Sequence, residues 1–186
     1  MRVIGGRYRS RQLKSRPPEG IRPTSDKLRE TLFNVLGPRV EGSIFLDGFA
    51  GMGGVGIEAI SRGAEFTWFV DKSRKACAII RENLNALKVT GGFRVVEVDF
   101  GKALDLFERE GAVFDIVFLD PPYEQATAYE SGLSAFATRH LLREGAVLVM
   151  EHSKRMELTE SAGSLKRYRV LTQGDSTLSF YRAESA

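Results

Sequence analysis

The residues best placed to do chemistry fall in two short stretches. One of them, Val117-Phe118-Leu119-Asp120-Pro121-Pro122-Tyr123, runs three apolar residues into an acid, two prolines and an aromatic ring. Proline donates no ladder hydrogen bond and restricts the residue before it, so a strand must end here on a stiff backbone. Asp120 then offers a carboxylate and Pro121 a carbonyl at a set separation, with Pro122 stiffening the turn and Tyr123 presenting a ring for stacking. Two fixed acceptors suit the N–H groups of an amine, because they favour a pyramidal nitrogen as charge builds on it. The exocyclic amine of a nucleobase needs such help, since its lone pair is delocalised into the ring, and a flipped base would stack on Tyr123. Rigidity matters because a misplacement of about 1 Å can cost on the order of 100-fold in rate.

The other stretch is Asp47-Gly48-Phe49-Ala50-Gly51-Met52-Gly53-Gly54-Val55-Gly56. Gly51, Gly53 and Gly56 satisfy the fingerprint of a nucleotide-cofactor loop, and Asp71 lies 20 residues beyond Gly51, where an acid can take both ribose hydroxyls. A plain glycine-rich turn packing a helix on a strand is the ordinary alternative. Against it, Asp47, Asp71, Asp99 and Asp120 close four successive strands, so all four project from one rim of a sheet, and buried carboxylates need partners. A nicotinamide enzyme and a methyltransferase both fit the glycines. Asp47 separates them: a pyrophosphate would make a carboxylate unwelcome, whereas the α-amino group and sulfonium of S-adenosylmethionine would welcome it.

These residues need a scaffold, and the pattern supplies one. A helix is expected over residues 25–36, capped by Thr24, Ser25 or Asp26 and stopped at Gly37-Pro38. Strands are expected at 44–47, 66–71, 94–99, 114–120 and 146–151, with helices at about 55–62, 73–87, 102–109 and 127–142. Strands that alternate with helices mean βαβ units and a parallel sheet covered on both faces. The tail differs: segments 168–172 and 178–182 flank Gly174-Asp175 and read as a closing antiparallel hairpin.

The chain has 186 residues, enough for one domain with a small appendage, and 42% apolar with 27% charged residues are the proportions of a soluble globular protein. One cysteine, Cys77, excludes an internal disulfide, and two histidines are too few for a recognisable zinc site; no metal is expected. No stretch approaches the roughly 18 apolar residues of a membrane span, so a cytoplasmic protein without membrane contact is expected. Charge is uneven. Residues 1–22 carry Arg2, Arg7, Arg9, Arg11, Lys14, Arg16 and Arg22 against Glu19, a net +6, and since the chain sums to +3 the remainder carries −3. Two short segments, 2–4 and 8–13, separated by Gly5-Gly6, can pair as a hairpin. The chain thus divides into a basic arm, residues 1–22, and a cofactor-binding domain, residues 23–186. A basic arm on an acidic body points to a polyanion, because cations that neutralise phosphates release counterions; a solvated, poorly ordered terminus is the simpler account. Arg22, Pro23 and Thr24 join the arm to a capped helix, a position from which they can fold over the cofactor and steer RNA towards Tyr123. Truncation of the arm is expected to weaken RNA binding and leave cofactor binding intact. Cys77 and Trp68 read as packed residues and His152 as a surface one.

Taken together, "MRVIGG", "RPTSDKLRETLFNVL", "LDGFAGMGGVGIEAISRG" and "VFLDPPY" resemble the RsmD family of bacterial 16S rRNA guanine-N2 methyltransferases, within the class I S-adenosylmethionine-dependent enzymes. The match runs in order from residue 1 to about 123, and the tail agrees by length and hairpin pattern. The resemblance implies a Rossmann-like α/β fold: a seven-stranded, mainly parallel sheet with a C-terminal antiparallel hairpin and helices on both faces. It implies methyl transfer from S-adenosylmethionine to the exocyclic N2 of guanine 966 in 16S rRNA, within a small ribosomal subunit or an assembly intermediate, by direct displacement on a flipped base. Carried onto this sequence, Asp47, Phe49, Ala50, Gly51 and Gly53 hold the methionine portion, Asp71 the ribose, and Asp99 with Phe100 the adenine, with Gly56 a further cofactor-binding residue. Asp120, Pro121, Pro122 and Tyr123 position the amine, while Arg2, Arg7, Arg9, Arg11, Lys14, Arg22 and Thr24 meet RNA. A monomer is expected.

Asp-Pro-Pro-Tyr is shared with adenine-N6 methyltransferases acting on DNA or RNA, whose DNA members need a target-recognition region for which no insertion is visible here. Glutamine methyltransferases of release factors more often carry Asn where Asp120 stands. A non-catalytic RNA-binding module that keeps the methyltransferase fold predicts a damaged cofactor loop, and every expected glycine and acid is present.

Overall fold

In the computed structural model, which describes residues 1–14, 24–122 and 126–183, the five apolar runs are parallel strands. They are β1 (Ile44–Gly48), β2 (Phe66–Asp71), β3 (Phe93–Glu97), β4 (Phe114–Leu119) and β5 (Leu142–Ser153). Helix α1 (Asp26–Leu36) precedes them, and α2 (Gly54–Ser61), α3 (Arg74–Ala86), α4 (Phe100–Glu110) and α5 (Ala126–Thr138) make the crossovers. Strands β6 (Ser161–Ala162), β7 (Leu165–Gln173) and β8 (Ser176–Ala183) complete the sheet in the spatial order β3-β2-β1-β4-β5-β8-β7-β6. The expected closing hairpin is β7–β8, and β8 inserts antiparallel between β5 and β7. The strand order reverses between β1 and β4, the place where open α/β sheets bind ligands.

Helices α1, α3 and α4 each combine an apolar stripe with a start capped by a side chain. Ser25 Oγ accepts the Leu28 N–H of α1 and Ser73 Oγ accepts the Ala76 N–H of α3. Leu28, Leu32, Phe33 and Leu36 of α1 pack with Phe45 and Phe118 on one face of the sheet, a face shared by α2 and α3. Phe107 of α4 and Phe136 of α5 cover the other face, around Trp68, Phe114 and Leu148. Cys77 and Trp68 are core residues as expected.

Several boundaries differ from those the sequence pattern predicts. The sheet has eight strands among the described residues rather than seven, the extra one being the two-residue β6 against the start of β7. Strand β5 begins at Leu142, where the pattern predicts the end of a helix, because Gly145 takes a left-handed conformation (φ 73°) and lets the strand bulge: Phe114 pairs Leu142 but Ile116 pairs Val147. Helix α4 starts early, at Phe100, since Asp99 Oδ1 accepts the Gly101 N–H and caps it. His152 is not a surface residue. Strand β5 runs on through it to pair with β8, leaving it 3% exposed with Nε2 2.9 Å from Ser179 Oγ, and burial lowers its pKa.

Residues 1–14 form a docked hairpin. Arg2 bridges Gln12, the Val3 N–H donates to Arg11 O, and the Leu13 N–H donates to Met1 O. Val3 and Leu13 enter the core beside Ile57, Ile80 and Leu84. The buried Glu58 carboxylate of α2 accepts the Ile4 and Gly5 N–H groups at 2.8 and 2.7 Å, and Asn83 Oδ1 of α3 accepts the Lys14 N–H at 2.7 Å. Arg16, Pro17, Pro18, Arg22 and Pro23, and with them the boundary at residue 22, lie outside the described residues, as does Tyr123. No helix among the described residues is long and apolar enough to cross a membrane.

Candidate active site

Strand register brings the rim acids together. Asp47 pairs Phe69 and Phe118, Gly48 pairs Val70 and Leu119, and Leu119 pairs Met150. Paired residues of parallel strands share a face and alternate residues share it again, so Asp47, Asp71, Asp120 and Glu151 all project on the face that α1 covers. They line a single cavity of about 740 Å³ at the carboxyl ends of the strands. Asp99, two residues past β3, reaches the same cavity from the start of α4.

The loop after β1 is built on three left-handed residues, Phe49 (φ 64°), Gly51 (φ 53°) and Gly53 (φ 77°). Phe49 is the costly one, since a side chain in that conformation persists only where its surroundings hold it. Its ring stacks on Phe100 at 4.7 Å, and the neighbouring Ala50 N–H donates to Val70 O at 2.8 Å. Phe49, Ala50, Gly51 and Phe100 line the cavity, whereas Gly53 and Gly56 stand behind its wall. Gly53 is the N-cap of α2, and Gly56 lets α2 lie directly on the Phe69 ring. The Gly51 and Ser73 N–H groups each donate to an oxygen of Asp71 at 2.8 Å, which fixes its carboxylate and leaves each oxygen a second lone pair.

Asp47, 2% exposed, accepts the Gly56 N–H at 2.7 Å. Burial raises its pKa to about 8; the Gly56 bond opposes the rise, the Asp71 charge adds to it and the Arg29 charge opposes it. Burial, then the charges of Glu151 and Asp47, push Asp120 well above the usual carboxylate range. Pro121 and Pro122 line the cavity beside Asp120, and the Pro121 carbonyl accepts the hydroxyl of buried Tyr129 at 3.0 Å.

Three residues of the site escape sequence reasoning. Glu151 ends the expected fifth strand just as aspartates end four others, and that parallel is the available signal. Arg29 sits four and seven residues before Phe33 and Leu36, a charge at core spacing. It is 0% exposed; Nη2 donates to Arg2 O and Asp26 Oδ1, while Nε and Nη1 have no hydrogen-bond partner among the described residues. A Cβ placed on Gly54 would stand 2.7 Å from Nη1, so the guanidinium lies directly behind the cavity's glycine wall. Tyr129 carries no signal beyond its place in α5.

Of the basic residues, Arg7, Arg9 and Arg11 are exposed, Arg2 pairs with Asp26 at 3.4 Å, and Lys14 pairs with Glu82 at 2.9 Å. Thr24 lies in the cavity wall and donates to Glu151 Oε2 at 3.1 Å.

The model of the family described as conserved hypothetical protein 95 matches residues 1–182. Ribosomal RNA small subunit methyltransferase D of Escherichia coli is 31% identical over 185 residues, covering 100% of this chain and 91% of that protein. The chain belongs to this family, the RsmD family. YlbH of Bacillus subtilis is 38% identical over 182 residues, covering 98% of each chain. The solved structure of the yhhF protein of Escherichia coli superposes with a TM-score of 0.85 at 32% identity, covering 100% of this chain and 99% of that one. The fold is thus that of the α/β methyltransferases, and S-adenosyl-L-methionine is the family's cofactor. The lining has groups that would fit it: carboxylates for cationic and hydroxyl groups, an aromatic surface at Phe100, and, behind Gly54, two guanidinium nitrogens of Arg29 without a partner among the described residues.

Proposed function

We propose that the protein methylates the exocyclic N2 of a guanine in small-subunit ribosomal RNA, guanine 966 of 16S rRNA by the family resemblance, within the subunit or an assembly intermediate. The observation that carries the reading is one cavity holding both the glycine loop with its acids and the rigid Asp120-Pro121-Pro122 segment. When bound, S-adenosylmethionine supplies an electrophilic methyl group on a sulfonium. Everything else falls to the chain. Asp71 would take the ribose hydroxyls, Phe100 with Asp99 the adenine, and Asp47 with Phe49, Ala50 and Gly51 the methionine portion, Asp47 meeting its α-amino group.

Asp120 and the Pro121 carbonyl accept N–H bonds from the target amine and draw its lone pair out of conjugation. Tyr129 holds the Pro121 carbonyl by one lone pair, which leaves the other for the substrate. Nitrogen that has gained a methyl group must lose a proton, and Asp120, whose proton affinity burial has raised, is the base placed to take it. Tyr123 stacks on the flipped base, and Arg7, Arg9 and Arg11 meet RNA phosphates.

The test uses unmodified small subunits, the protein and S-adenosylmethionine labelled in its methyl group, with digestion of the RNA and mass spectrometry of the nucleosides. N2-methylguanosine is the expected product. N6-methyladenosine, or label in protein alone, would overturn the assignment.

A further inference from the structure

We propose that Glu151 is the residue that selects guanine: it accepts the N1–H of the base while Asp120 accepts N2–H, so that two carboxylates on adjacent strands read one Watson–Crick edge. The inference rests on the guanine-N2 reading above and adds the residue that makes the choice.

Register places the pair. Leu119 and Met150 are partners across β4 and β5, so Asp120 and Glu151 leave neighbouring strands at the same level and on the same face, with backbones about 4.8 Å apart. Both line the cavity, and Glu151 is 3% exposed. Its carboxylate is positioned from outside the strand, because Thr24, just before α1, donates its hydroxyl to Oε2. The cofactor half of the cavity lies around the β1 loop, Asp71 and Phe100, and methyl transfer needs no second acid beside Asp120. Such an acid has a use if the base presents two adjacent donors.

Guanine does so, with N1–H and N2–H side by side. Adenine presents its N6 amine next to an N1 lone pair, which would face a buried carboxylate with no hydrogen between them; a site built to receive a donor rejects the analogue that lacks it strongly. The Glu151 charge adds to the upward shift of Asp120, so the two carboxylates are close enough to act on one base. A guanine edge supplies one N–H to each.

The test exchanges donor for acceptor on both sides. Small subunits are reconstituted with rRNA carrying guanine or 2-aminopurine at the methylated position; 2-aminopurine keeps the N2 amine but presents N1 as an acceptor. The wild type is expected to favour guanine by at least about 100-fold in kcat/KM. Glu151→Gln, whose amide can donate to N1, is expected to lose activity on guanine and to bring the ratio within about 10-fold, with S-adenosylhomocysteine affinity unchanged. Binding without cofactor, read by 2-aminopurine fluorescence, should tighten in Glu151→Gln relative to wild type. Should that variant fail to fold, Thr24→Val is expected to reduce the guanine preference by releasing the carboxylate. An unmoved ratio, in a folded Glu151→Gln whose wild type does form N2-methylguanosine, overturns this inference alone. No N2-methylguanosine from the wild type overturns the underlying reading with it.

Discussion

Asp47 is held by the Gly56 N–H in a wall that raises its pKa to about 8 from an ordinary 3.8, with Asp71 and Arg29 the charges acting on it and its own charge acting on Asp120. The folded chain therefore binds this proton more tightly than the unfolded chain, so the contribution to stability is greatest below pH 4 and falls as pH rises towards 8. Asp47→Asn should flatten that slope in urea unfolding measured across the window; a slope as steep as wild type would remove Asp47 as its source. A cation beside Asp47 favours the ionised form, so S-adenosylhomocysteine should bind more tightly as pH rises through the same window in wild type, and without that trend in Asp47→Asn. In the proposed function Asp120 serves the target amine instead of the cofactor. Its replacement, Asp120→Ala, should keep cofactor affinity and lose at least about 100-fold in turnover, the scale of one lost transition-state acceptor. Near-normal turnover would take it out of the mechanism. These aspartates are legible in the sequence because acids are out of place at the ends of buried strands. Arg29 is not, because its burial depends on Arg2, whose carbonyl it holds from 27 residues along the chain, and no local pattern announces that contact.

At the scale of elements, the site depends on how closely α2 approaches β2. Gly56 allows it: a Cβ there would overlap the Phe69 ring, and the same residue supplies the N–H that Asp47 accepts. Gly56→Ala should cost about 1–3 kcal/mol by overpacking, which thermal unfolding would register as a fall of roughly 2–4 °C for each kcal/mol. An unchanged melting temperature would mean that the helix shifts freely, and Asp47 would then lose its partner without cost to the fold. The alternation of strands and helices is readable because apolar period and turn residues agree along most of the chain. It fails at the junction of α5 and β5, where Leu141 and Leu142 continue a helical pattern and only the bulge at Gly145 decides for strand. The docking of the first residues is also out of reach, since it is Glu58, in the middle of α2, that receives two of their N–H groups.

For the whole molecule, the distribution of charge and the docking of the hairpin have to be considered together. Arg7, Arg9 and Arg11 are exposed on a hairpin whose Val3 and Leu13 are core residues, whose Arg2 carbonyl anchors Arg29, and whose Met1 lines the cavity. Deleting the hairpin would therefore remove core packing and part of the cavity wall along with the positive charge, and a loss of RNA binding after truncation would not single out electrostatics. Charge reversal does. The triple variant Arg7→Glu, Arg9→Glu, Arg11→Glu leaves the buried side chains and the backbone bonds to Glu58 in place, so S-adenosylhomocysteine affinity and melting temperature should hold close to wild type. Affinity for the small subunit should fall, most at low salt. Each arginine that neutralises a phosphate contributes about 0.7–0.9 to the slope of log K against log salt concentration, so three contacts should reduce that slope by about 2–3. A slope equal to wild type would show that the hairpin's charge faces solvent when RNA is bound, and the polyanion would then have to be met by another part of the surface.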